Sequence, residues 1–274
     1  MRSFIKVHRV SWLVSIAMMN LAVVPSHSAG TNSTTAAPRY ETRAEHDPNG
    51  IGKFYMGREI AHVMGHEAAD WLERTEREQE ERTDLLVPAL KLKPGDAVAD
   101  IGCGSGYYTR RLAKVVGRAG SPLPAAHSNA NDGVHGVTRP TDGIVYAVEI
   151  QQEMLDILTN KLTSEKIFNV KPVLGTITDP KLPRASVDLI LMVDVYHEFD
   201  FPFEMVEAMC NSLRPGGRIV FVEFRGEDPD VPIKRVHKMT ETQVRKEMSV
   251  HPLDWVETIR TLPQQHIIVF RKQP

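Results

Sequence analysis

Cysteine is scarce in this chain. Its 274 residues hold Cys103 and Cys210 and no other, too few for a disulfide framework or a cysteine-based zinc cluster. Neither sign of charge dominates: 33 Lys and Arg face 35 Asp and Glu, a formal net charge of −2. No basic excess exists to neutralise phosphates, so nucleic acid is not an expected partner. A long apolar run is missing as well. The apolar stretch at residues 10–24 has 15 residues, short of the about 20 that a bilayer-spanning helix needs.

What is present is an ordinary globular composition, 42% hydrophobic and 25% charged, with length for one generous domain plus additions. Arg2, Lys6 and Arg9 precede the apolar stretch, Pro25 breaks it, and Ser26-His27-Ser28 stands before Ala29. This is the layout of a secretory leader, residues 1–28, and predicts export to the periplasm or cell envelope. An uncleaved anchor is the alternative, and the only route to membrane association. Cleavage after Ser28 would leave a net charge of −5. Residues 29–50, rich in Thr, Ser, Asn, Ala and Pro, read as a flexible linker.

From 51 to 92 the pattern predicts a helical cap. Ile60, Val63, Met64, Ala68, Trp71 and Leu72 recur at spacings of three and four. Past Trp71 charges alternate, with Glu73–Arg77, Arg74–Glu78 and Glu78–Arg82 at i,i+4, which suggests a solvated helix face. Residues 93–274 then alternate apolar strands with amphipathic helices. Residues 97–101, 144–149, 170–174, 187–195 and 218–224 read as strands, and 255–262 with 266–271 as a final pair. Thr240-Glu-Thr-Gln243 is a capping box opening a helix. The expected architecture is an α/β, Rossmann-like, doubly wound sheet, largely parallel and covered on both faces. Residues 118–143, crowded with Gly, Pro, Ser, Asn and Asp, read as a surface insertion.

In such sheets ligands bind beyond the carboxyl ends of the strands. There the chain carries Asp100-Ile-Gly-Cys-Gly-Ser-Gly106, a strand that runs into a glycine turn and then a helix. Gly102, Gly104 and Gly106 make Gly-x-Gly-x-Gly, not the Gly-x-Gly-x-x-Gly of dinucleotide binding. Glu149 ends the next strand, where a carboxylate can accept from ribose hydroxyls. Asp179 follows the third strand, where an adenine amino group could be met.

Those motifs, with Val145-Tyr-Ala-Val-Glu149, Leu182-Pro183 before Val187-Asp188, and Leu213-Arg-Pro-Gly-Gly-Arg218, resemble the successive motifs of class I S-adenosylmethionine-dependent methyltransferases, across residues 92–272. Tyr55-Met-Gly-Arg-Glu-Ile, Val195-Tyr-His-Glu-Phe199, His237-Lys-Met-Thr-Glu241 and Leu262-Pro-Gln-Gln-His266 further resemble a signal-bearing bacterial methyltransferase-like group of unassigned substrate. The resemblance implies seven strands with the last antiparallel, and S-adenosylmethionine as cofactor. By position it implies that Gly102, Gly104 and Gly106 face the amino-acid part of the cofactor and that Asp100 holds its amino group. Glu149 would take the ribose, Asp179 the adenine, and Asp194 would lie near the methyl-bearing sulfonium. The implied activity is methyl transfer to a small-molecule or lipid-like acceptor. An exported, non-catalytic ligand- or metal-binding protein on the same fold is the alternative.

Methyl transfer needs an aligned nucleophile and, for many acceptors, a base. His197 follows the fourth strand, and its ordinary pKa is near neutral, so it is the first choice for the base. Glu198 would orient it or bind substrate, and Asp194 completes the catalytic set. Glu223 and Arg225 end the fifth strand and would line the same cleft, as would His237 in a lid-like segment. From the cap, Tyr55, Arg58 and His62 would face the acceptor. His62 and His66 stand at i,i+4, a metal-ligand spacing, with Glu67, His197 or His237 as a possible third ligand. Two ligands do not make a site, and no metal is expected.

Overall fold

A computed structural model describes residues 38–117 and 143–274. The expected leader, residues 29–37 of the expected linker, and residues 118–142 of the expected insertion lie outside the described residues.

Ten strands and six α-helices make up the described chain. A seven-stranded sheet is built from β4 (Ala97–Ile101), β5 (Ile144–Glu149), β6 (Val170–Leu174), β7 (Val187–Val193), β8 (Leu213–Phe224), β9 (Leu253–Ile259) and β10 (Gln265–Lys272). Their order is β6-β5-β4-β7-β8-β10-β9, so β4 is central. The pairs among β4 to β8 are parallel, and β10 runs antiparallel to both of its neighbours. This is the expected sheet, antiparallel last strand included.

Period-2 alternation divides the core between the two faces of the sheet. Ile190 and Met192 of β7 join Ile219 and Phe221 of β8 on one face, with Met205 and Met209 of α5 (Pro202–Ser212) and Val244 of α6 (Glu241–Met248). Leu189 and Leu191 join Val220 and Val222 on the other face, with Leu112 of α3 (Tyr107–Val116) and Leu86 of α2 (Thr83–Ala89). Leu158 of α4 (Gln152–Glu165) packs with Ala147 and Cys103. Because both faces are covered, the strands are apolar at consecutive positions, which is why they are legible as parallel strands. Thr240 caps α6 as expected, accepting from the Gln243 amide at 3.0 Å.

The N-terminal part differs from its expectation. Residues 40–61 form a three-stranded antiparallel sheet of β1 (Tyr40–Thr42), β2 (Gly50–Tyr55) and β3 (Arg58–Ala61), where a linker and then a helix were expected. Met56 and Gly57 both have positive φ, 48° and 92°, between the paired Tyr55 and Arg58. That is the two-residue turn whose twist suits a hairpin. The helical spacing of Ile60, Val63 and Met64 is therefore coincidental. Helix content in the cap is limited to a 3-10 segment His66–Glu73, α1 (Arg77–Glu81) and α2. The charged stretch is a solvated face only in part: Glu76, Glu78 and Glu80 are exposed, but two of its charges are buried. Arg77 and Glu81 are 5% and 2% exposed and pair at 2.8 Å. Glu73 bonds Arg110 and Lys161, and Glu78 accepts from Tyr107, so these charges pair across to other elements. Among the described residues no helix is long and apolar enough to cross a membrane.

Candidate active site

Strand β4 ends on Ile101, and the chain turns through Gly102, Cys103 and Gly104 before α3 begins. Gly102 has φ +67°, and a Cβ there would sit 2.3 Å from Val195 Cγ2. Both conformation and space therefore require glycine at that position. The turn, the ends of β5 and β7, and the segments after β6 and β7 enclose one cavity of about 580 Å³. Its mouth lies beyond the carboxyl ends of the parallel strands, where a doubly wound sheet binds ligands.

Glu149 closes β5 and is held by backbone. One carboxylate oxygen accepts from Gly104 N at 3.0 Å, the other from Ile150 N at 2.8 Å and Gln151 N at 3.3 Å. Burial raises its pKa, opposed by those N–H donors. A carboxylate offers about four lone-pair directions, so capacity remains for a further donor. Asp100, in the middle of the sheet, accepts the Thr109 hydroxyl at 2.6 Å. Burial pushes its pKa up to about 6, against that hydrogen bond and Arg77. Asp194 has φ +51° and accepts from Gln265 Nε2 at 2.5 Å through Oδ2, while its buried Oδ1 has no partner. Burial, then Glu81 and Glu223, hold its carboxyl well above the usual range.

Beyond β7 the chain forms a short 3-10 turn, Tyr196–Glu198, that presents His197 and Glu198 to the cavity. His197 Nδ1 is 2.6 Å from Glu223 Oε2, and Nε2 is 3.2 Å from His237 Nδ1. Burial disfavours the imidazolium, but the Glu223 charge and hydrogen bond outweigh it and raise the His197 pKa. His237 is driven the other way, to about 4, by burial and by the charges of His197 and Lys234. Burial lifts Glu198 to about 7, against the pull of His197. Cys103 is buried, and desolvation raises its thiol, which makes it a small turn residue and not a thiolate nucleophile.

Of the residues singled out in the sequence, Asp100, Gly102, Gly104, Glu149, Asp194, His197, Glu198 and His237 lie around one cavity. Gly106 stands just behind them, its absent Cβ 2.2 Å from Leu158. Other expected residues lie elsewhere. Asp179 does not line the cavity. Its carboxylate caps the Lys181 amide and pairs with the Lys181 ammonium in an exposed turn, and Thr176 and Ile177 face the cavity instead. Tyr55 is buried against Tyr40. Arg58 is neutralised by Glu247 at 2.8 Å and donates to the His197 carbonyl at 3.1 Å, so it positions the turn from behind. Glu223 is fully buried, likewise behind His197. Arg225 is drawn away to Asp228 and the carbonyls of Leu262 and Gln265. His62 is exposed past the end of β3 and His66 opens the 3-10 segment, so the two share no helix face.

Residues that carry no mark in the sequence also line the cavity. Val63, Met64, Trp71 and Leu72 wall the cavity from the N-terminal side, and Arg77 reaches it from below. Gln151 ties that wall down, donating to Met64 O and accepting from His66 N, both at 2.9 Å. Glu73 accepts from the Ser105 hydroxyl in the glycine turn at 2.6 Å. No local signal marks these contacts, which join residues more than 30 positions apart.

Comparison with known proteins gives a consistent picture. Residues 92–264 match the family described as "Methyltransferase domain". A tRNA U34 carboxymethyltransferase of Desulfotalea psychrophila is 29% identical over 60% of this chain and 41% of its own. A 27-O-demethylrifamycin SV methyltransferase of Amycolatopsis mediterranei is 24% identical over 65% of this chain and 59% of its own. The chain spans about two fifths to three fifths of the length of the curated relatives it matches. Among solved structures, a SAM-dependent methyltransferase from Aquifex aeolicus superposes with a TM-score of 0.64, covering 76% of this chain and 99% of that one at 19% identity, a likeness of fold.

Proposed function

The chain belongs to the methyltransferase-domain family, and from that premise we propose that it transfers a methyl group from S-adenosylmethionine to a small-molecule or lipid-like acceptor. The observation that carries the proposal is the convergence of Asp100, Glu149 and Asp194 with His197 on one cavity at the strand ends.

The residues fit that cofactor. Its sulfonium and ammonium are positive, and three carboxyl groups line the cavity: Asp100 and Glu149, which are buried, and Asp194, which is part-buried with a buried, unpartnered oxygen, Oδ1. Glu149 is oriented by three backbone donors and keeps capacity for a ribose hydroxyl. A Cβ at Gly104, where φ is +51°, would meet Leu72 at 2.6 Å, so the turn keeps its close backbone approach only with glycine. When bound, the cofactor supplies the electrophilic methyl.

The chain's own residues do the rest. His197 accepts the acceptor's proton at Nε2, while its Nδ1–H is held by Glu223, which fixes the ring. Arg58 holds the same turn through the His197 carbonyl. Val63, Trp71, Ile177 and Phe199 give the cavity an apolar wall, which suits a largely apolar acceptor and excludes water. The leader reading belongs to the same proposal: residues 1–28 direct the protein to the periplasm or envelope, and the mature chain begins at Ala29.

A labelled-methyl assay on extracts of the native cell envelope tests this reading. Label should pass to an extractable small molecule, and His197→Ala should keep cofactor affinity while losing at least a hundredfold in turnover. Unchanged turnover in the variant would make His197 structural. Absence of any cofactor binding by the wild type would end the proposal.

A further inference from the structure

His197, Glu198 and His237 do more than line the cavity. His197 Nε2 lies 3.2 Å from His237 Nδ1 and 3.9 Å from Glu198 Oε1, and His237 Nδ1 lies 3.8 Å from that same oxygen. A point equidistant from the three atoms is about 2.1 Å from each, the length of a bond from zinc to imidazole nitrogen or carboxylate oxygen. From these separations we infer that His197, Glu198 and His237 form a binding site for a divalent transition-metal ion of the zinc class.

Two further observations support the assignment. The first is the support behind His197. Its other nitrogen, Nδ1, is 2.6 Å from the fully buried Glu223, which also accepts the Tyr196 amide at 3.0 Å. A carboxylate that takes the second ring N–H of a ligating histidine fixes its tautomer and aims its free nitrogen, the usual second layer of a metal centre. The second is charge. Glu198 and Glu223 are both enclosed beside His197, and Glu198 Oε1 lies 3.9 Å from His197 Nε2 and 3.8 Å from His237 Nδ1. A cation would compensate those acids.

Two imidazoles and one carboxylate are the ligand set of catalytic zinc sites that keep an open position. All three residues line the cavity. The metal site does not depend on methyl transfer. Only the role assigned to it rests on that reading: with an ion bound, His197 Nε2 would be a ligand in place of the general base described above, and the ion would lower the pKa of an acceptor hydroxyl, whose proton would pass to solvent.

The test titrates Co²⁺ into full-length protein stripped with a chelator, reading the visible d–d absorption, with Zn²⁺ in competition. One equivalent should bind and be displaced by Zn²⁺. His237→Ala and Glu198→Gln should abolish stoichiometric binding, and Glu223→Gln should weaken it 10- to 100-fold. A His62→Ala/His66→Ala variant should bind like wild type. Absence of Co²⁺ binding to wild type, or binding unchanged in both His237→Ala and Glu198→Gln, overturns the inference. Circular dichroism of each variant separates lost ligation from lost folding. S-adenosylmethionine calorimetry on the same stripped protein separates the two proposals: cofactor binding without Co²⁺ binding sinks the metal site alone, and Co²⁺ binding without cofactor binding sinks the methyltransferase reading alone.

Discussion

The glycine turn after β4 and the N-terminal wall face each other across the same cavity, yet they are held in different ways. The turn is fixed mainly by neighbours close in sequence and by one strand partner, with a side-chain tie from Ser105 to Glu73 of the wall. Thr109 reaches Asp100 nine residues away, and Glu149 is oriented by its own following amides. The wall is fixed by distant partners. Arg58 pairs with Glu247 across 189 residues, and Glu73 pairs with Arg110 and Lys161. A local device writes its pattern into a short window of sequence. A wall assembled from long-range ion pairs leaves only charges whose partners cannot be guessed.

The largest effect should come from cutting the wall's anchor. Arg58→Met leaves Glu247 buried without its ionic partner, and chemical denaturation should register a loss of about 3–5 kcal/mol. Adding Glu247→Leu should recover more than half of it. A loss below about 1 kcal/mol would mean that the N-terminal sheet is not anchored there.

Next comes the turn. Folded Asp100 titrates at about 6 and the unfolded group at 3.8. Between those values the folded state binds the extra proton, so the Asp100 contribution to stability falls as pH rises from about 4 to about 6. Asp100→Asn abolishes that fall. Its stability relative to wild type should therefore rise by on the order of 2–3 kcal/mol between pH 4 and pH 7. A constant difference across that range would show that Asp100 is not held protonated by burial.

The smallest effect is expected at Glu73, which is part-exposed, with 27% of its side chain accessible. Glu73→Ala should cost no more than about 1 kcal/mol in thermal or chemical denaturation, since half-solvated ion pairs are worth little. A cost comparable to that of Arg58→Met would erase the distinction between a buried anchor and a surface tie.

The same contrast explains what could be read in advance. The seven-stranded sheet was legible because β4, β5 and β7 are apolar at consecutive positions, and because Gly102, Glu149 and Asp194 fall at strand ends. His197 and His237 were legible as individual residues, but their 3.2 Å approach was not, since it joins a turn after β7 to a segment 40 residues later. Asp179 was misplaced because its carboxylate folds back onto Lys181 within its own turn. The hairpin of β2 and β3 did have a signal, Met56-Gly57 between alternating residues, but the helical spacing of Ile60, Val63 and Met64 competed with it. Arg77 and Glu81 read as solvated because a buried ion pair and an exposed one look alike in sequence.

The central claim is that the strand-end carboxylates and the glycine turn bind S-adenosylmethionine. Calorimetric titration of the cofactor into wild type and Glu149→Ala tests it most directly. Wild type should bind one equivalent, and the variant should lose about 1.5–3 kcal/mol of binding free energy, roughly 10- to 150-fold in affinity, with its melting temperature little changed. Equal affinity in the two proteins, or no binding to either, would contradict the account.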